Sequence, residues 1–180
     1  MAADLVTMDD LKAWLGMRGT DDDALIQELA SAASDDFKRA CSQELAAADY
    51  TEAIDGMGRA EVYLSEGPII SVTSVTDGGV DLDPSDYVVY AHPPRIRLKT
   101  GRFSKLPQGV TVVYRAGYET IPADIRAACC ALGVFLFNRR RSLGKATEVV
   151  AGMSLTVDNN LPEAVAQAAR RYAKTWGLFG

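Results

Sequence analysis

Val110-Thr111-Val112-Val113-Tyr114-Arg115-Ala116-Gly117-Tyr118-Glu119-Thr120-Ile121-Pro122-Ala123-Asp124-Ile125-Arg126 contains the change of period on which the fold turns. Val110 to Tyr114 is a short branched and aromatic run, the pattern of a strand. After Gly117 the pattern changes. Pro122 suits the first position of a helix, where its missing N–H costs nothing. From Ile125 to Asn138 the residues are strongly apolar, with Ala127, Ala128, Cys129, Ala131, Leu132, Val134, Phe135, Leu136 and Phe137. That run is shorter than the roughly 20 residues a membrane helix needs, and Arg126 and Arg139 bound it. It reads as a buried helix of a soluble bundle, and no membrane partner is expected. Arg139, Arg140 and Arg141 end it, where cations favour the negative pole of the helix dipole.

Upstream of this junction the chain reads as β-structure back to about residue 49. Tyr50–Ile54 and Ala60–Leu64 flank Asp55-Gly56-Met57-Gly58 and predict a hairpin around a glycine turn. The Gly-x-Gly there is not a dinucleotide fingerprint, because a strand follows it where a helix N-terminus is required. Ile69-Ile70-Ser71-Val72-Thr73-Ser74-Val75-Thr76 is the clearest strand, and Asp77-Gly78-Gly79 turns the chain. Tyr87–Tyr90 and Arg95–Leu98 are further strands, separated by proline-bearing linkers.

At the front, Thr7 predicts a helix cap with Asp10 three residues on and Leu11, Trp14 and Leu15 as the apolar side. Gly16 to Gly19 breaks that helix. Thr20 predicts a second start, with Asp23 in the capping-box position and Asp21, Asp22 and Asp23 in the first turn. Leu25, Ile26, Leu29, Ala33, Phe37 and Cys41 follow at spacings of three and four, one face of a helix. At the back, Glu148–Val157 predicts a small hairpin, and Pro162 opens a last helix through about Trp176. The expected architecture is α+β: a helical bundle with an inserted antiparallel β-strand region and a C-terminal helix and tail. A single domain over residues 1–180 is expected, with a helical core at 7–43 and 121–143. The β insertion occupies 49–118, and the C-terminal hairpin, helix and tail occupy 146–180.

Charge is uneven along the chain. Residues 1–60 hold 13 acids against 5 bases, whereas residues 121–180 hold 4 acids against 8 bases. Such a subunit suits contact with unlike surfaces at its two ends, although uneven charge also arises from plain solvation of faces. Met1 to Asp10 carries three aspartates and no base, which is not the start of a signal peptide, so the protein is expected to stay in the compartment where it is made. The three cysteines, Cys41, Cys129 and Cys130, have no paired spacing. They read as small apolar fillers, not as a disulfide framework or a zinc site.

Chemistry is sparse. His92 is the only histidine and lies in Tyr90-Ala91-His92-Pro93-Pro94, with nothing nearby in sequence to orient it. No catalytic residue, no metal ligand and no cofactor is expected, and no phosphate-cradling loop is present. Arg139, Arg140 and Arg141, with Lys145, are candidates for contact with a partner or phosphate, or simply for helix termination. Arg170, Arg171, Lys174, Trp176, Leu178 and Phe179 combine positive charge with large apolar groups, as protein interfaces do. The alternative for Trp176 and Phe179 is to fold back on the protein's own core.

Three segments together resemble the head-to-tail connector (adaptor) proteins of tailed bacteriophages. They are Asp4-Leu5-Val6-Thr7-Met8-Asp9-Asp10-Leu11-Lys12-Ala13-Trp14-Leu15 with Asp21-Asp22-Asp23-Ala24-Leu25-Ile26; Gly67-Pro68-Ile69-Ile70-Ser71-Val72-Thr73-Ser74-Val75; and Val112 to Tyr118 leading to Ile121–Arg126. Their order runs through most of residues 4–141, and residues 145–180 match less clearly. The resemblance implies a non-enzymatic virion protein of the neck, between capsid and tail, made in the host cytoplasm. It implies a homo-oligomeric ring, typically dodecameric, that docks on the portal protein with the C-terminal region. That assigns portal binding to Arg170, Arg171, Lys174, Trp176, Leu178 and Phe179. Its other partners would be a head-closure (stopper) or tail-completion protein and the double-stranded DNA that passes without sequence-specific contact. A head-closure or tail-completion protein is the nearest alternative identity. A small enzyme using His92 and an acid is disfavoured by the isolated histidine. A DNA-binding regulator using the arginine cluster is disfavoured by the net charge of −5.

Overall fold

Thr7 opens the first helix, α1 (Met8–Leu15), as its sequence predicts. The Thr7 hydroxyl accepts from the Asp10 backbone N–H at 3.1 Å, and the Asp10 carboxylate accepts from the Thr7 N–H at 3.0 Å. Two otherwise orphaned donors are satisfied at once. Gly16 closes the helix with φ +68°, a left-handed cap that glycine adopts without strain. The second helix, α2, was expected to start at Thr20 and instead spans Asp23–Cys41. Asp22 stands at its N-cap without a side-chain bond, and of the three aspartates only Asp23 lies in the first turn. The Asp23 carboxylate faces the Lys12 ammonium at 2.6 Å, so it ties α2 to α1 and does not cap.

The computed structural model describes residues 3–141, 147–150, 153–156 and 162–174. The chain forms two compact units. The helical unit takes the segments before Gln43 and from Ile121 to Ala173; the sheet unit takes residues 43–120 together with Lys174. In the helical unit α1 and α2 pack with α3 (Ala123–Arg141) and α4 (Glu163–Arg171). Pro122 directly precedes α3, and its carbonyl accepts the Arg126 N–H at 3.0 Å. A hairpin of β8 (Thr147–Val150) and β9 (Met153–Thr156) stands where a small hairpin was expected. The last helix is shorter than expected: α4 stops at Arg171, and Tyr172 caps it.

The helical core holds Leu11, Ile26, Ala30, Phe37, Ile125 and Leu132, all at most 3% exposed. Gly133 makes room for α1: a Cβ there would sit 2.8 Å from the Leu11 Cδ1. Ser34 is a buried polar exception whose hydroxyl is satisfied twice. It accepts from Leu5 N–H at 3.0 Å and donates to the Ala30 carbonyl at 2.8 Å. Cys41, Cys129 and Cys130 are free thiols buried in this unit. Burial pushes Cys41 up to about 11 and Cys129 up to about 12, so both stay protonated and packed.

The sheet unit is two antiparallel sheets. One has the order β1 (Ala48–Ile54), β7 (Val110–Ala116), β3 (Ile69–Asp77), β4 (Val80–Asp81). The other has the order β2 (Glu61–Tyr63), β6 (Arg95–Leu98), β5 (Tyr87–Tyr90). The expected hairpin of residues 50–54 with 60–64 does not form. β1 pairs with β7 along its full length, and β2 pairs with β6 in the other sheet. The intervening glycines carry a crossing between sheets instead of a turn: Gly56 N–H donates to the Leu106 carbonyl at 2.9 Å. β7 is flanked on both sides, and its alternate residues Val110, Val112, Tyr114 and Ala116 are buried. They meet Val62, Val75, Tyr87, Ile96 and Phe103 in one core fed by both sheets.

Gly117 ends β7 with φ +107°, and its amide donates to the Pro68 carbonyl at 2.9 Å. A Cβ there would lie 2.6 Å from the Ala46 carbonyl oxygen, which is backbone and has little freedom to give. Gly117→Ala is therefore expected to destabilise the protein by about 2 kcal/mol or more, from the strained φ and the clash together. The denaturant midpoint measures this, with the slope of the transition unchanged.

Candidate functional site

α3 enters the helical unit with apolar residues on all its sides, and the other helices cover only part of it. Ile125, Ala128, Cys129, Cys130 and Leu132 are buried, whereas Val134, Phe135, Leu136 and Phe137 are only half-buried. The uncovered end forms a groove of about 580 Å³ between α2, α3 and α4. Phe37 and Ala40 of α2 line one side, Leu132, Phe135 and Leu136 of α3 the floor, and Val165, Ala166 and Ala169 of α4 the other side. Its rim is charged. Arg39, Arg139 and Arg170 stand on it, with Asp36 as the rim acid, bound to Arg39 at 2.5 Å. The Arg170 guanidinium is 77% exposed and lies 3.9 Å from Glu163, a weak surface pair. An apolar floor inside a cationic rim is the form of a docking surface, where aromatic or aliphatic anchors are buried and charges set the register.

Arg139 and Arg170, expected in two separate sites, stand together on this rim. Arg140 does not line it; its guanidinium lies 4.8 Å over the Phe137 ring. Arg141 is the last residue of α3. Arg171 turns to the start of α3, where it meets Asp124 at 3.2 Å, and the Tyr172 hydroxyl donates to the same carboxylate at 2.8 Å. This clamp anchors the end of α4, one wall of the groove. Lys174 belongs with the sheet unit, where burial raises the Glu66 pKa and the Lys174 charge opposes that rise in part. Trp176, Leu178 and Phe179 lie outside the described residues. The groove itself was missed in the sequence. The signal for it was the all-round apolar character of α3 beyond the residues that three neighbours can cover.

His92 stands exposed in the turn between β5 and β6, where the proline-rich reading placed it. Among the described residues no group of three or more His, Cys, Asp or Glu could hold a metal ion, and no helix is long and apolar enough to cross a membrane. Tyrosines and carboxylates form a hydrogen-bonded network in the sheet unit. The Tyr114 hydroxyl donates to Glu52 and accepts from the Glu66 N–H at 3.2 Å. Glu52 also accepts the Ser65 N–H at 3.0 Å, and Glu66 accepts the Glu44 N–H at 3.0 Å. Burial raises the Tyr114 pKa strongly, and the hydrogen bond to Glu52 raises it further. Burial chiefly pushes Tyr50, stacked 5.6 Å from Tyr114, up to about 12. The Tyr114 phenol is thus held as a donor, and the network works as a clamp on the loop through Ser65 and Glu66.

The chain is an α+β protein whose helical unit carries an apolar groove with an arginine rim. Comparison with known proteins gives it a family. A model of the head completion protein family matches residues 4–174, and the chain belongs to that family. This agrees with the connector resemblance carried by the sequence segments. No curated protein matches. Among solved structures, the fold is similar to a chain in the neck of an empty gene transfer agent (GTA) particle computed with C6 symmetry. The TM-score is 0.64 at 17% identity, over 98% of this chain and 93% of that one. A chain in the virion of a native GTA particle matches with a TM-score of 0.62 at 18% identity, over 98% and 93%. A chain in the neck of a native GTA particle computed with C12 symmetry matches at 0.59 and 16%, over 100% and 98%.

Burial raises the Glu66 pKa, against the Glu44 N–H and Lys174, which lower it. A carboxyl raised in the folded state stabilises fully at pH below its unfolded value, and that contribution is lost as pH rises through the folded value. The ionised Glu66 therefore weakens the sheet unit at neutral pH. Glu66→Gln keeps an acceptor for the Glu44 N–H and removes the charge. Its thermal midpoint is expected above wild type at pH 7, with the gap closing as pH falls to about 4, in the carboxylate range.

Proposed function

We propose that this chain is a structural subunit of the neck of a phage-like particle, located between capsid and tail. It forms a homo-oligomeric, dodecameric ring that sits on the portal protein, continues the DNA channel and presents the surface to which a stopper or tail-completion protein attaches. The observation that carries this is the family match over residues 4–174, which spans both units of the fold. Chains sharing that fold over nearly their whole length come from necks computed with C6 and C12 symmetry, which supports a ring. The reading gives the chain no reaction, cofactor or metal. It is made in the host cytoplasm and ends in the virion.

Physical features support each part. A net charge of −5 suits a channel that DNA must traverse, since an acidic wall does not gain the counterion release that holds basic proteins on DNA. The C-terminal segment is the portal-docking element: Arg170, Arg171 and Lys174 supply charge, and Trp176, Leu178 and Phe179 supply apolar anchors. α4 ends at Arg171, so these anchors follow the helix on a short stretch of chain that includes Gly177. A segment of that composition can supply anchors for a groove on a partner. The family's description, head completion, also favours a second reading, in which the chain closes the head one layer further from the portal.

A chain truncated after Lys174 tests the docking element. It is expected to keep the wild-type thermal midpoint and to lose binding to purified portal rings, read as the native mass with and without portal. Unfolding on truncation, or binding that persists, assigns docking elsewhere. Wild-type chain that ignores portal rings alone, but joins rings already carrying a connector, selects the head-closure position.

A further inference from the structure

We propose that the groove between α2, α3 and α4 receives the α1–α2 corner of a second copy of this chain, with Trp14 of that copy as the inserted anchor. The proposal rests on the ring reading above and supplies the contact between neighbours in the ring. Two surfaces of the helical unit carry it, and they match in apolar character and in charge.

Trp14 is 54% exposed although it lies on a helix whose Leu11 is fully buried. A half-exposed indole is a costly surface group and a common energetic centre of interfaces. Exposed acids surround it in sequence: Asp9 on α1, and Asp21 and Asp22 just before α2. Arg18 is the one base on the connecting loop, and Lys12 is already engaged by Asp23. The corner is therefore an apolar knob in a net acidic setting. The groove is its complement: an apolar floor of a size that takes an aromatic side chain, inside a rim with Arg39, Arg139 and Arg170.

The two surfaces lie on different sides of α3. Leu11 of α1 packs over Gly133, and Asp10 acts electrostatically on Arg126 and Cys130. The groove uses Leu132, Phe135, Leu136 and Arg139. At 3.6 residues per turn the centres of these two sets are roughly 140° apart around the helix axis. A knob and its socket on different faces of one subunit cannot satisfy each other within that subunit. They make a head-to-tail contact that repeats from copy to copy and closes when the rotation per step divides a circle.

The test places the photoreactive residue benzoylphenylalanine at position 14 of the full chain. Isotopically light and heavy chains are mixed, assembled on portal rings of the same particle, irradiated and digested. The expected products are mixed light–heavy pairs joining position 14 to peptides of α2, α3 and α4 that line the groove. In the same assay Trp14→Ala, whose side chain is too exposed to be needed for folding, is expected to weaken ring formation at least about 30-fold, the scale of an interface hot spot. Ala166→Trp, which fills the groove, does the same. An equal mixture of these two variants has one intact contact per pair and yields dimers without rings. Rings in which position 14 joins another surface, joins only its own chain or joins nothing overturn this contact and leave the ring reading standing. Unmodified chain that forms no rings on portal overturns the ring reading, and this contact with it.

Discussion

α3 carries apolar side chains round its whole circumference, and the helical unit is organised around covering it. α1 closes on the side where Gly133 lets Leu11 approach. α2 and α4 close on the others, and Ile125, Cys129 and Leu132 of α3 are buried in this unit's core. The three neighbouring helices leave the far end partly open, so Phe135 and Leu136 remain on the floor of a groove. Filling that end with polar residues would have been the simple solution for an isolated domain. Its apolar composition makes sense when the cover comes from another molecule.

The sheet unit answers a different constraint. β7 has a partner strand on each edge, and every second side chain goes inward. Tyr114 sits at its centre with a hydroxyl that needs partners in a dry environment. Glu52 and the Glu66 N–H supply them. This polar clamp is expensive to bury and is tolerated because each member is satisfied. It holds the loop through Ser65 and Glu66 against β1 and β7, and thereby fixes where the chain passes from one sheet to the other.

Local signals in the sequence were legible where one residue's physics decides the outcome. The capping box of Thr7 and Asp10, the branched run from Ile69, the turn at Gly78 and Gly79, and the arginines ending α3 all stand where the pattern placed them. Readings failed where a distant residue outcompetes a near one. Asp23 was expected to cap its own helix, but Lys12 offers a charge at 2.6 Å and takes it. β1 and β2 were expected to pair as neighbours in sequence, yet β1 gains a full-length partner in β7 and joins the other sheet. Composition alone does not encode that choice, because both pairings satisfy the same alternation. The groove was illegible for the same reason: α3 announces that it is apolar on all sides, but only the packed helices reveal which side stays open.

A ring built from such subunits places modest demands on each contact. One knob in one socket is a small interface, and free copies in solution need bind each other only weakly. Seating the copies on a common platform changes the arithmetic. Each neighbour is then held at a high effective concentration, and the last contact to form costs no further association entropy. Weak, polar-rimmed contacts would therefore suffice to close such a ring. The same logic explains why the two surfaces must be unlike. A self-complementary patch would pair two copies and stop, whereas an acidic knob and a cationic socket on separate faces leave every bound copy with one free end until the circle closes.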